Sequence, residues 1–222
     1  MNDTIIGVAG CGVTGSRVVR HLTAAGYRVA VTDPDPTARG RIAATKGVVV
    51  LDTPADLATC DLAVLCGPAP HALLAGDLLA EGLDVVSIGD DLDDMRDLLA
   101  HGVAAERHGR RLVVGAGMAP GLSGLLAASL ADQLEHLDEL HVALHGTAGP
   151  ECARQHHHAL GHTALGWHDG EWIEPAGGTG RDLVWFPEPV AAHDCYRAAL
   201  TDPLLLQRAF PQVQRVTARV SA

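Results

Sequence analysis

Gly10-Cys11-Gly12-Val13-Thr14-Gly15 is the stretch that most limits what this chain can become. It follows an apolar run, Ile5 to Ala9. It opens a helical stretch to about Ala25, with Val18, Val19 and Leu22 on one face and Gly26 as its stop. Strand, glycine turn and helix in that order make the βα corner of a dinucleotide site. Gly10 permits the tight turn, Gly12 lets the main chain approach a pyrophosphate, and Gly15 lets the helix pack on the sheet. The N–H groups at the helix start, with Val13 and Thr14 in its first turn, then face an anion that the helix dipole favours. The same pattern also fits a glycine-rich turn that holds no ligand. An acid supports the first reading: Asp33 ends the second strand 18 positions beyond Gly15, where about 20 is usual. Its carboxylate can accept from ribose hydroxyls and repels a 2′-phosphate, so NAD is favoured over NADP. Pro34, Asp35 and Pro36 follow with no Arg among them, and Arg39 and Arg41 are expected on a helix surface.

The alternation continues. Strands are predicted at Arg28–Thr32, Val48–Leu51, Leu62–Leu65, Val85–Ile88 and Leu112–Val114. Helices are predicted at Pro70–Glu81, stopped by Gly82, and from Asp93 to about Arg107. Repeated β-α order predicts an α/β fold, a Rossmann doubly wound parallel sheet with right-handed crossovers. Aromatic residues then mark a change. Tyr27 is the only one before Trp167, while Trp172, Trp185, Phe186, Tyr196 and Phe210 all follow. A domain over residues 1–119 is expected to give way to a joining helix and a smaller α+β domain over 120–222. In the second, Pro120 to about Leu134 is apolar almost all round and reads as a buried helix. Strands are expected at Leu140–Leu144, Leu183–Phe186 and Val213–Val220, with a helix near Pro203–Phe210. Asp169-Gly170 marks a hairpin within Trp167–Ile173, and the sheet is expected to be largely antiparallel.

Composition closes off other classes. With 222 residues, 47% of them hydrophobic, the chain can bury a core and is not disordered as a whole. Its net charge is −11, and Lys46 is its only lysine, so no basic face is offered to a phosphate backbone and a nucleic-acid partner is excluded. No apolar run is long enough to cross a bilayer, and the N-terminus lacks a basic leader segment, so a cytoplasmic protein is expected. Five cysteines at long spacings, with no C-x-x-C, argue against a disulfide framework and a cysteine-rich zinc site. His156, His157, His158, His162 and His168 crowd one stretch, and His158 and His162 would share a helix face. No acid has the H-E-x-x-H placement, so no metal is expected.

In a parallel sheet, ligands collect at the carboxyl ends of the strands. There the third strand offers Asp52, which fits an adenine neighbour and a helix-start residue equally. The fourth offers Cys66-Gly67-Pro68-Ala69-Pro70, where Gly67 and Pro68 let the chain pass close to a cofactor ribose. The fifth offers Gly89-Asp90-Asp91, and the sixth Gly115-Ala116-Gly117-Met118.

Val113-Val114-Gly115-Ala116-Gly117-Met118-Ala119-Pro120-Gly121-Leu122-Ser123 resembles the segment that joins the two domains of saccharopine dehydrogenase-like proteins. The Cys66–Pro70 loop, Val85–Asp91, Trp185-Phe186-Pro187-Glu188-Pro189 and the stretch to Val220 are similar to further parts of that family. The resemblance implies a Rossmann domain followed by an α+β domain, a homodimer, and nicotinamide-dependent hydride transfer at the carbon–nitrogen bond of an amino-acid-derived substrate. Two departures stand out. Ala119 replaces the acid that often precedes Pro-Gly, and the chain stops at Ala222 where family members continue, which fits either a truncated chain or a member with a shortened second domain. Hydride transfer needs a partner for the proton. His145 and Asp91 are the candidates. Arg154, Arg181 and Arg197 are the candidates for the substrate's carboxylate. His145 also fits a strand-end residue bonded to backbone, and Asp91 a helix cap. Gly121-Leu122-Ser123-Gly124-Leu125 lacks the second glycine of a nucleophile elbow. A non-catalytic NAD-binding sensor, built on the same half, is the alternative function.

Overall fold

The predicted βα alternation is realised over the first half of the chain. The computed structural model describes residues 3–146 and 149–221. Their contacts fall into two units: the chain to Gly89 with Asp93–Gly117, and Asp90–Leu92 with the chain from Met118. The first unit runs β1 (Ile5–Ala9), α1 (Val13–Ala24), β2 (Arg28–Thr32), α2 (Pro36–Ala43), β3 (Val48–Val50), a 3-10 turn (Pro54–Thr59) and β4 (Leu62–Leu65). It continues with α3 (Ala72–Ala80), β5 (Asp84–Ser87), α4 (Leu92–Ala100), α5 (Gly102–Arg107) and β6 (Leu112–Val113). The sheet order is β3-β2-β1-β4-β5-β6 and every pairing is parallel. This is the doubly wound order, and it reverses between β1 and β4.

Successive strand residues supply two cores, one on each face. Ile6, Val8, Val29, Val31 and Val64 pack with Val19 of α1 and with Ala38 and Ile42 of α2. Ala30, Ala63, Leu65 and Val85 pack with Leu57 and with Ala75, Leu78 and Leu79 of α3. Two expectations change in detail. The single helix over Asp93–Arg107 is two, because the chain turns at His101 before Gly102, a poor helix former. The helix expected to carry Arg39 and Arg41 is α2; its bounds were not read, although Asp35 caps it and Pro36 sits in its first turn, the usual start signal.

The second unit contains α6 (Leu122–Ala131), β7 (Glu139–Leu144), α7 (Pro150–Gly161), β8 (Gly166–His168), β9 (Glu171–Ile173), β10 (Asp182–Phe186), β11 (Ala191–Arg197), α8 (Asp202–Ala209) and β12 (Arg215–Ser221). β12 organises the sheet. It pairs parallel with β7 over Arg215–Val220, and antiparallel with β11 near its end and β8 near its start. Two antiparallel pairs, β10–β11 and β8–β9, complete it, so antiparallel pairing predominates. Asp169 and Gly170 both take positive φ, which builds the predicted hairpin turn. The β12 residues Val216, Ala218 and Val220 alternate inward and meet Leu140, Val142, Leu144 and Leu206. The α6 helix corrects an expectation. Only Ala127 of it is buried, while Leu122, Leu125, Leu126 and Leu130 are exposed. An apolar stripe on every side does not tell which side finds a neighbour.

Candidate dinucleotide site

Each glycine of the β1–α1 corner has its own physical reason. Gly10 has φ +95°, and a Cβ there would lie 2.5 Å from the Gly67 nitrogen. A Cβ on Gly15 would fall 1.8 Å from the Gly10 carbonyl oxygen, so no other residue fits at the helix–strand contact. Over Gly12 nothing lies within 4 Å of the Cβ position, so the corner is open where a pyrophosphate must approach. Gly12 is the N-cap of α1 and supplies no side-chain cap, and no acid sits in the first turn. The amides of that turn therefore lack intrahelical partners, and Val13 and Thr14 are exposed beside them. The residues present fit a dinucleotide.

Asp33 stands next to this corner and does more than the sequence suggested. Its Oδ2 accepts from the Cys11 N–H at 2.5 Å and its Oδ1 from the Asp35 N–H at 2.8 Å. The carboxylate thus ties the glycine turn to the end of β2, and each oxygen keeps a lone pair for a ribose hydroxyl. Arg39, expected on a helix surface, lies on α2, and its Nη1 also donates to the Asp33 carbonyl oxygen at 2.6 Å. Asp52 is exposed beyond β3. The helix-start role there goes to Thr53, whose N–H donates to Asp56 Oδ2 at 2.8 Å. Gly67 and Pro68 follow β4, with Gly67 packed directly on Gly10. Burial pushes the Cys11 thiol up to about 11, with Asp33 adding to the shift and Arg39 opposing it. Burial, with Cys11 adding, pushes Cys66 up to about 12. Both stay protonated near neutral pH, so neither is a thiolate nucleophile.

The remaining predicted residues lie in the second unit. Asp91 is exposed before α4. His145, also exposed, follows β7. Its Nδ1 lies 3.0 Å from Ser221 Oγ, and its ring sits 4.3 Å from that of His193. It bonds a side chain, not backbone. Arg154 pairs with Glu151, and Arg181 with Asp194 at 2.9 Å, which occupies both with acids. Arg197 packs against Gly180. His158 and His162 stack with centroids 3.8 Å apart, and His162 Nδ1 donates to the His158 carbonyl. Among the described residues, no three His, Cys, Asp or Glu side chains gather to hold a metal, and no helix is long and apolar enough to cross a membrane. Sequence reasoning missed a buried group in the first unit, His71 with Ser87 and Asp94. A lone histidine before a helix gives little signal of its own.

Residues 5–83 match the NAD binding domain of 6-phosphogluconate dehydrogenase. The match spans β1 to the residue before β5 and contains the whole corner, so this segment is similar to an NAD-binding domain. No curated protein matches the chain. Solved structures share its fold. GenD2 from gentamicin A biosynthesis, in complex with NAD, is 17% identical with a TM-score of 0.56, over 100% of this chain and 66% of that one. The WlbA dehydrogenase from Bordetella pertussis, in complex with NADH and UDP-GlcNAcA, is 17% identical with a TM-score of 0.55, over 90% and 68%. Biliverdin reductase from Synechocystis, in complex with biliverdin and NADP+, is 12% identical with a TM-score of 0.55, over 98% and 72%. The chain spans about two thirds of the length of these structures.

Proposed function

We propose that the protein is an NAD-dependent oxidoreductase that acts on the carbon–nitrogen bond of a small amino-acid-derived substrate bearing a carboxylate. The observation that carries the NAD-dependent part is the open corner over Gly12, with uncapped α1 amides and the Asp33 carboxylate beside it. The α1 amides would hold the diphosphate, Asp33 would accept from the adenosine ribose, and Gly67 and Pro68 would let the second ribose lie close to the chain. Asp33 would also repel a 2′-phosphate, which favours NAD over NADP. The bound nicotinamide supplies the hydride chemistry. The choice of a carbon–nitrogen bond rests on the resemblance of Val113–Ser123 to saccharopine dehydrogenase-like proteins. His145 and Asp91 are proposed to manage the proton, and a homodimer and a cytoplasmic location complete the reading. The folds of GenD2 and WlbA, bound to NAD and NADH, support a nicotinamide nucleotide at the first sheet.

The test is absorbance at the reduced nicotinamide band with NAD and a panel of amino acids and secondary amines. Turnover by the parent and none by Gly12→Val is expected, because a side chain over the open corner blocks the diphosphate without disturbing the fold. Tight NAD binding with no turnover across the panel would instead favour a sensor.

A further inference from the structure

His71 precedes α3, is only 5% exposed, and is not part of the glycine corner. Its main-chain N–H donates to both oxygens of Asp94, at 2.8 and 2.9 Å, and the Ala72 N–H donates to Asp94 Oδ1 at 2.8 Å. The side chain makes a second, separate set of bonds. Nε2 lies 3.0 Å from the Gly67 carbonyl oxygen, and Nδ1 lies 2.8 Å from Ser87 Oγ at the end of β5. A carbonyl oxygen can only accept, so Nε2 carries the proton. Ser87 Oγ accepts from the Gly89 N–H at 3.1 Å and is left free to donate to Nδ1. One direction of donation therefore runs from Gly89 through Ser87 and His71 to Gly67. The space is closed as well: a Cβ on Gly89 would lie 3.1 Å from His71 Nδ1 and 3.2 Å from Ser87 Oγ.

The end of that chain matters because of where Gly67 lies. β1 and β4 are the strands between which the sheet order reverses, and their following loops flank the crevice that takes the ligand. Gly67 packs on Gly10, so the two loops touch. With Asp33 at the end of β2 on the adenosine side, the second nucleotide half must continue from α1 across β4 and β5. We propose that His71 is a positioning residue: by donating to the Gly67 carbonyl it holds the β4 loop in the shape that receives the nicotinamide ribose. This rests on the dinucleotide reading of the corner. A mere cap of α3 would not need the ring, since Asp94 already accepts from the main-chain N–H groups.

Calorimetric titration of the purified chain with NAD and with ADP tests this, because ADP carries the adenosine and the diphosphate but lacks the second ribose and its nicotinamide. In His71→Leu the NAD dissociation constant is expected to rise at least about tenfold, while that of ADP changes less than about twofold. Equal weakening of both, or no weakening of NAD, overturns the proposal and leaves the dinucleotide reading standing. A parent that binds neither overturns both. Ser87→Ala is the second variant, decisive if His71→Leu does not fold. Freed from its donor, the ring can adopt the other tautomer, so the same selective loss is expected at about threefold. An unchanged ratio of the two affinities in Ser87→Ala overturns the proposal.

Discussion

Asp33 shows how one side chain serves two levels of the structure. Its oxygens hold the Cys11 and Asp35 amides, and the same carboxylate is proposed to accept from a ribose. Asp33→Ala is expected to weaken NAD about tenfold and to narrow the preference over NADP, since the charge that repels a 2′-phosphate is gone. Titrations with both nucleotides check this, and a parent that prefers NADP would contradict the role. Asp202 poses a different residue-scale question. It is 2% exposed, its Oδ1 accepts from Ser123 Oγ at 2.5 Å, and its Oδ2 is buried with no partner among the described residues. Burial raises its carboxyl above the usual carboxylate range, with Ser123 opposing. A folded-state value above the unfolded one means that the contribution to stability is full at low pH and is lost as pH rises through the folded value. Asp202→Asn is thus expected to be more stable than the parent at pH about 7, with the gain shrinking toward pH about 4. Urea midpoints at the two pH values check the sign.

At the scale of elements, the β1–α1 corner depends on close approach. Gly15→Ala places a methyl 1.8 Å from the Gly10 carbonyl oxygen, so α1 must lift from the sheet. A loss of about 1–3 kcal/mol in unfolding free energy is expected, together with weaker NAD binding. Denaturant unfolding measures the first. A variant as stable as the parent would show that the corner has slack the structure does not contain. The elements most legible in sequence were those with continuous apolar runs: β1, β2 and β4 match their predicted bounds residue for residue. β11 escaped notice because Ala191-Ala192-His193-Asp194-Cys195-Tyr196-Arg197 carries no apolar alternation, and its strand character comes from pairing with β10 and β12. α6 read as buried because Leu122, Leu125, Leu126 and Leu130 surround it, yet only Ala127 is enclosed.

At the scale of the molecule, the two units have separate cores and different aromatic content. All three tryptophans, Trp167, Trp172 and Trp185, lie in strands of the second sheet. NAD binding to the first unit should stabilise it by about 2.7 kcal/mol at one hundred times the dissociation constant. Amide exchange in β1, β2 and β4 is then expected to slow on adding NAD, as read by mass spectrometry. Unchanged exchange in those strands would contradict a nucleotide bound at their carboxyl ends.

The sequence alone determined the parallel sheet, the glycine corner and the acid beyond β2, because each depends on residues near in the chain: local periodicity, a turn that only glycine allows, and a fixed strand length. Only the tertiary structure decided that Asp33 also braces the corner, that Arg39 donates to the Asp33 carbonyl oxygen, and that His71 links Ser87 to Gly67. The bonds of Asp33 to Cys11 and of His71 to Ser87 join residues that become neighbours only after the strands have taken their order in the sheet. Hydrogen bonds across that order leave no periodic trace in a chain read from end to end.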